Sequence, residues 1–217
     1  MREVGSIVLG VLIALAIGEV ADTMRHRHNV AKLMVTVRNE MGATRVVLEE
    51  RMMSGRCIIR RHDQIKAALA EERVRRQARR VQTIGLPKVR PLANVAWATL
   101  VGNEELLYIN LNDADIAKHY FITADKYLDY QSQEQITWAN LRVLESRPDL
   151  VSGDLMAELE TSIEEAHANA FIINIMAHQM WKNQHLLGMR TDYTYFDDMG
   201  REQMIAKAKA NPLCRSL

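Results

Sequence analysis

The chain has 217 residues, 48% of them hydrophobic, with 28 Lys and Arg against 27 Asp and Glu for a formal net charge of +1. That length suits one ordinary domain plus an anchor and argues against two large domains. With only 10 Gly, 4 Pro and 2 Cys, collagen-like, low-complexity and disulfide-stapled scaffolds are excluded.

Richness in Ala, Leu, Met, Glu, Arg and Gln favours helix throughout, so the expected fold class is all-α. The near-zero net charge conceals an uneven distribution. Residues 1–50 carry six basic and six acidic groups, residues 51–90 twelve and three, and residues 91–217 ten and eighteen. A positive block of this kind either packs on the acidic remainder of its own chain or meets lipid phosphates, nucleic acid or an acidic partner. Cys57 and Cys214 show no metal spacing and leave one bridge or none open.

The first element is the run Val4–Gly18, which lengthens to Ala21 with Glu19 as its only charge. At about 1.5 Å per residue, Val4–Ala21 gives roughly 27 Å, close to the hydrocarbon thickness of a bilayer. A cleaved signal peptide is the rival, since Ala14-Leu15-Ala16 is a small-x-small site, but Arg2 alone makes a minimal n-region. A soluble core helix fits less well, because the run has no polar face. Ser6, Gly10, Ala14 and Gly18 recur every fourth residue and form one stripe along the helix. In lipid, close backbone approach at small residues replaces hydrophobic drive, so the stripe is expected to bind a membrane helix of another subunit or of a second copy. Arg2 precedes the span while Arg25, Arg27 and Lys32 follow it; this local count favours a cytoplasmic body, with a periplasmic one as the alternative.

From residue 23 to about 82 a long charged helix or helix pair is expected. Val30, Met34, Val37, Met41 and Leu48 keep near-heptad spacing, the pattern lapses at Arg51 and Ser54-Gly55, and it resumes at Ile58, Ile65 and Leu69. A kink or short break near Gly55 is therefore expected. Arg73, Arg75, Arg76, Arg79 and Arg80, with Lys88 and Arg90, form the basic surface; no aromatic residue is interleaved for base stacking, so nucleic acid is disfavoured as a partner.

Residues 83–93, holding two prolines and a glycine, mark the main loop, and residues 94–217 the helical body. Asn94 is placed to cap a short helix, and Asn112, with Asp115 three residues on, to start one running to about Leu144. A further long helix is expected from about Asp154 to Leu187, and a short one from Asp197 or Asp198. Asp192, Asp197 and Asp198 flank Tyr193, Tyr195 and Phe196, a capped turn with an aromatic lip suited to a contact surface.

The stretches REVGSIVLGVLIALAIGEVAD, RCIIRRHDQI, WATLVGNEELLYI and KHYFITADKYLDYQSQEQITW together resemble a group of uncharacterised bacterial single-pass inner-membrane proteins. Those proteins have an N-terminal E-x-x-x-I-V-x-G-V-L-I-A-L type anchor and a helical body. The resemblance spans most of residues 1 to 190 and implies a bacterial source and an anchored helical fold. It brings no catalytic residues. Similar proteins often carry several basic residues before the anchor, which places their bodies in the periplasm.

The strongest chemical candidate is the helix around residues 161–188. His167, Asn174, His178 and His185 fall on one face with Trp181 beside them, and Glu164 with His167 forms a Glu-x-x-His pair. A di-iron site needs that pair twice plus two further glutamates, and only one copy exists, so no metal or other cofactor is expected. Cys57 among Arg56, Arg60 and Arg61 is an activated thiol only if exposed, and no partner is evident by spacing. The preferred function is a non-enzymatic accessory or scaffolding subunit of a larger membrane complex. The alternatives are a haem, pigment or metal-binding redox subunit using His167, His178 and His185, and a membrane-tethered binder of anionic lipid or nucleic acid through residues 51–90.

Overall fold

A computed structural model describes residues 2–75, 84–146, 151, 153–186, 189, 202–203, 205–206 and 210–214, the side chains of 2–6, 72–75, 104 and 212 excepted. The chain is all-α. Helix α1 spans Arg2–Arg75, α2 Val95–Val101, α3 Leu111–Leu141, α4 Val143–Ser146 and α5 Gly153–Leu186, with 3-10 turns at Glu104–Tyr108 and Pro212–Cys214.

Three helices form the body because each carries an unbroken stripe at alternating spacings of three and four. On α1 the buried positions are Val37, Met41, Thr44, Leu48, Arg51, Gly55, Ile58, His62, Ile65 and Leu69. The stripe on α3 is Ala117, Tyr120, Ala124, Tyr127, Gln131, Glu134, Trp138 and Leu141, and on α5 it is Leu159, Ile163, Ala166, Ala170, Ile173, Ala177, Met180 and Gln184. This period averages 3.5, the spacing that keeps one seam of a helix turned toward its partners over many turns.

The hydrophobic pattern on α1 does not lapse at Arg51. Polar and small residues occupy core positions there without a change of register, so the expected break near Gly55 is absent and α1 runs straight through. Glycine inside a helix costs about 1 kcal/mol relative to alanine, and here close approach offsets it. A Cβ on Gly55 would lie 2.4 to 2.7 Å from the side-chain amide of Asn174 on α5, so only a bare backbone admits that contact.

Helix α5 is antiparallel to α1, as the pairs Lys66–Glu164 and Trp181–Glu49 show. Helix α3 instead runs parallel to α1, with Arg38 facing Asp113 and Arg51 facing Glu134. The stretch 84–94 makes this topology by walking back along α1. Its Lys88 and Arg90 both reach Glu50 at 3.0 Å, and the Glu40 carboxylate accepts the Ala96 N–H at 3.0 Å. That last bond replaces the cap expected from Asn94, which occupies the N-cap position without a side-chain bond.

Helix α3 begins one residue before Asn112: Asn110 is its cap, accepting from the Asn112 N–H at 2.9 Å. It ends at Leu141 rather than near Leu144, and α4 carries Leu144 into the core. Helix α5 matches the expected range within one residue. The expected helix start at Asp197 or Asp198, and the aromatic lip around it, lie outside the described residues.

The C-terminal turn is fastened to α1 by a Cys57–Cys214 disulfide with a Cα–Cα distance of 4.7 Å. Gly85, at φ 77°, lets the chain turn beside it; a Cβ there would stand 2.9 Å from Leu213. Positive φ and the lack of space both call for glycine. The core thus has three levels along α1: Val30 and Met34 with Leu100 and Ile109, then Val37 to Leu48 with Tyr120 to Tyr127, then Ile58 to Leu69 with Trp138 and Leu141.

Candidate functional site

Two features stand outside an ordinary apolar bundle: a buried polar layer at mid-height and an apolar segment that the bundle leaves uncovered. The polar layer follows from the stripes. Arg51 on α1 and Glu134 on α3 occupy facing core positions, 4% and 0% exposed, and form a bidentate pair with both N–O distances 2.7 Å. Arg51 Nε donates to Asn174 Oδ1 on α5 at 3.2 Å, so one guanidinium ties all three helices. A planar fork suits this role because it offers five fixed donors to carboxylate geometry.

Around the clasp, Glu50 closes the outer edge. Burial alone would raise its pKa, but hydrogen bonds from Arg90 and Lys88 outweigh it and hold the carboxyl below its ordinary value. Tyr127 lies beside the pair, its pKa pushed up to about 12 chiefly by burial. Gln184, one layer toward the N-terminus of α1, donates to the Met41 carbonyl at 2.8 Å and to the Tyr120 hydroxyl at 3.0 Å. A small cleft lined by Glu50, Arg51, Ser54, Lys88, Tyr127 and Gln131 opens over the clasp.

His62 lies three turns beyond Arg51 and is fully buried, and neither ring nitrogen has a hydrogen-bond partner among the described residues. Its ring packs 4.8 Å from Trp138 and 5.9 Å from His167. Burial first, then the neighbouring His167 and Arg51, depress its pKa to about 3, so the ring is neutral at ordinary pH. His62 was invisible as a site residue in the hydrophobic pattern. Its position in the alternating three-and-four spacing with Ile58 and Ile65 is the signal that marks it.

On α5, His167, Asn174 and Trp181 turn toward α1. Trp181 donates to Glu49 at 3.2 Å and lies under the Arg45 guanidinium, 4.6 Å away. The three histidines do not converge. His167 is half-buried against His62, His178 is exposed and stacks beside Trp181, and His185 is exposed in the last turn of α5. Among the described residues no group of three His, Cys, Asp or Glu side chains is placed to hold a metal ion. Glu164, the other half of the Glu-x-x-His pair, bonds Lys66 on α1, and hydrogen bonding to that ammonium lowers its pKa.

Four cations of the basic block are paired within the chain: Arg51 with Glu134, Lys66 with Glu164, and Lys88 and Arg90 both with Glu50. The backbones of Arg73 and Arg75 end α1, while Arg76, Arg79 and Arg80 lie outside the described residues. Cys57 is bonded to Cys214 and is not a thiol.

The apolar segment is one continuous piece with the body. Ile7, Val8, Leu9, Val11, Leu12, Ile13, Leu15, Ile17 and Val20 are each at least 51% exposed. The segment is long and apolar enough to cross a membrane, and none of it is covered by the rest of the chain. Positions 10 and 18 have nothing within 4 Å of where a Cβ would stand. No family model matches the chain, and neither a curated protein nor a solved structure matches it.

Proposed function

We propose that this chain is a single-pass membrane scaffold, a non-enzymatic accessory subunit that stations a rigid helical bundle at a membrane and joins a larger assembly through its anchor. The observation that supports this reading is the continuity of α1 from an uncovered apolar segment into the core of the bundle. Large exposed apolar surfaces in water drive association, whereas lipid accepts the side chains and a helix satisfies its own backbone. A single helix serving as both anchor and core element makes the body and its anchorage one mechanical unit.

The bilayer and a helix packed on Ser6, Gly10, Ala14 and Gly18 are the proposed partners, the helix belonging to an integral membrane subunit or to a second copy. The proposed setting is a bacterial inner membrane, in keeping with the resemblance of the anchor. The Cys57–Cys214 disulfide supports a body on the oxidising, periplasmic side, because such bonds are rare where glutathione and thioredoxin keep thiols reduced. The local charge count favours the cytoplasm, but its margin rests on Arg2 against Arg25, Arg27 and Lys32 and is the weaker argument.

Gly10→Leu and Ala14→Leu test the reading. Both positions are uncovered in the chain itself, so the fold is expected to hold while co-purification of the partner from mild detergent is lost. Unchanged association in both variants would remove the stripe from the account.

A further inference from the structure

Where the bundle meets the anchor, the chain makes its lowest turn. Helix α2 descends along α1, the 3-10 turn Glu104–Tyr108 lies across it, and α3 climbs away. The Tyr108 ring stacks on His26 at 4.7 Å with the planes 2° apart, and Leu100 and Ile109 pack on Val30 and Met34. His26 lies five residues beyond Ala21, about 7.5 Å along the helix axis. The polar interface outside the hydrocarbon core is roughly 5 to 7.5 Å deep on each side, so the Tyr108–His26 stack stands at the outer edge of the headgroup layer whenever Val4–Ala21 spans the bilayer.

The side chains at that level suit such a place. Leu107 is 82% exposed and Leu106 is uncovered beside it, although Leu100 and Ile109 on either side of the turn pack into the core. Arg25 and Arg27 are exposed alongside, within reach of phosphates, and a tyrosine at the boundary presents an apolar ring with a polar tip. We propose that the turn at residues 104–108 forms a collar that rests on the lipid surface beside the anchor, with Leu107 entering the headgroup layer. The collar gives the bundle a second attachment and fixes its tilt on the membrane. This proposal rests on the anchored reading above.

The full-length chain, kept non-reduced so that Cys57 and Cys214 stay paired, is made with Leu107→Cys, Ile13→Cys or Ile136→Cys. Each is labelled with a thiol-reactive environment-sensitive fluorophore and reconstituted into vesicles of phosphatidylethanolamine and phosphatidylglycerol. The unsubstituted chain sets the labelling background. Ile136 is exposed on α3 near the level of Arg51, about 37 Å farther from the membrane than His26.

The collar predicts blue-shifted emission at Leu107→Cys that is lost when lipids carrying a nitroxide on the headgroup are included. Ile13→Cys is expected to be quenched best by a nitroxide near the acyl methyl end, and Ile136→Cys by neither. Emission at Leu107→Cys matching that at Ile136→Cys, or a blue shift that no nitroxide lipid quenches because protein covers the site, overturns the collar while leaving the anchor intact. Loss of quenching at Ile13→Cys overturns the anchored reading and the collar with it.

Discussion

Arg51→Met isolates the energetic centre of the bundle. It removes two charge-assisted bonds from Glu134, both 2.7 Å, and leaves that carboxylate fully buried with its counter-charge gone. Hydrogen bonds to charged groups contribute about 1.5 to 3 kcal/mol each, and breaking a buried pair by removing one partner costs about 3 to 5 kcal/mol. The two figures agree, and the lost bond to Asn174 adds to the cost. With Arg51→Met and Glu134→Leu together, neither charge of the clasp is left in the core, and the expected cost falls to about zero or becomes a gain of about 1 to 4 kcal/mol. The assay is denaturant unfolding of the full chain in mild detergent, followed by helical circular dichroism, for the parent, both single variants and the double. A cost under about 1 kcal/mol for Arg51→Met would refute the reasoning, as would a double variant destabilised by the sum of the singles, since independent sites add and coupled ones do not.

His62 makes stability pH-dependent in a definite direction. Its folded pKa of about 3 lies below the ordinary value near 6.5, so between those values the unfolded chain binds the additional proton. Stability that is complete above about pH 6.5 is therefore eroded as the pH falls toward 3, by up to about 1.4 kcal/mol per unit. His62→Leu flattens that part of the profile and, by removing two unpartnered buried nitrogens, is neutral or stabilising at pH 7; parallel profiles for parent and variant would contradict this. Gly55→Ala forces the Asn174 amide away from Arg51 and is expected to cost about 1 to 3 kcal/mol, most of it recovered by adding Asn174→Ala. An additive double variant would show that the glycine is not required by Asn174.

The helices and the uncovered apolar segment were legible in the sequence because periodicity and length are local properties. The polar layer was hidden for a reason visible in α1: Arg51, Gly55 and His62 hold core positions at unbroken three-and-four spacing, but residue type alone makes them look like a lapse. Glu134 and Gln131 were passed over among the interleaved polar residues of α3 in the same way. Only the facing helices show that Arg51 and Glu134 are counter-charges to each other. The parallel course of α1 and α3 was not legible either, since it depends on Glu40 and Glu50 catching the returning stretch 84–96. Two lone cysteines 157 residues apart carry no pairing signal until the C-terminal turn is seen against α1. On α5, His167 packs against His62 of α1 while His178 and His185 are exposed, a division that the seven- and four-residue spacing of the histidines does not reveal.

The central claim is that α1 remains whole and lipid-embedded while its body sits where disulfides persist. Intact-mass analysis of the chain from carbonate-washed membranes, alkylated without reductant, tests it most directly. The account predicts a membrane-retained chain that keeps residues 4–21, takes up no alkyl group and is two hydrogens lighter than its reduced form. A chain released by carbonate, one beginning downstream of Ala16, or one alkylated at Cys57 and Cys214 would contradict it.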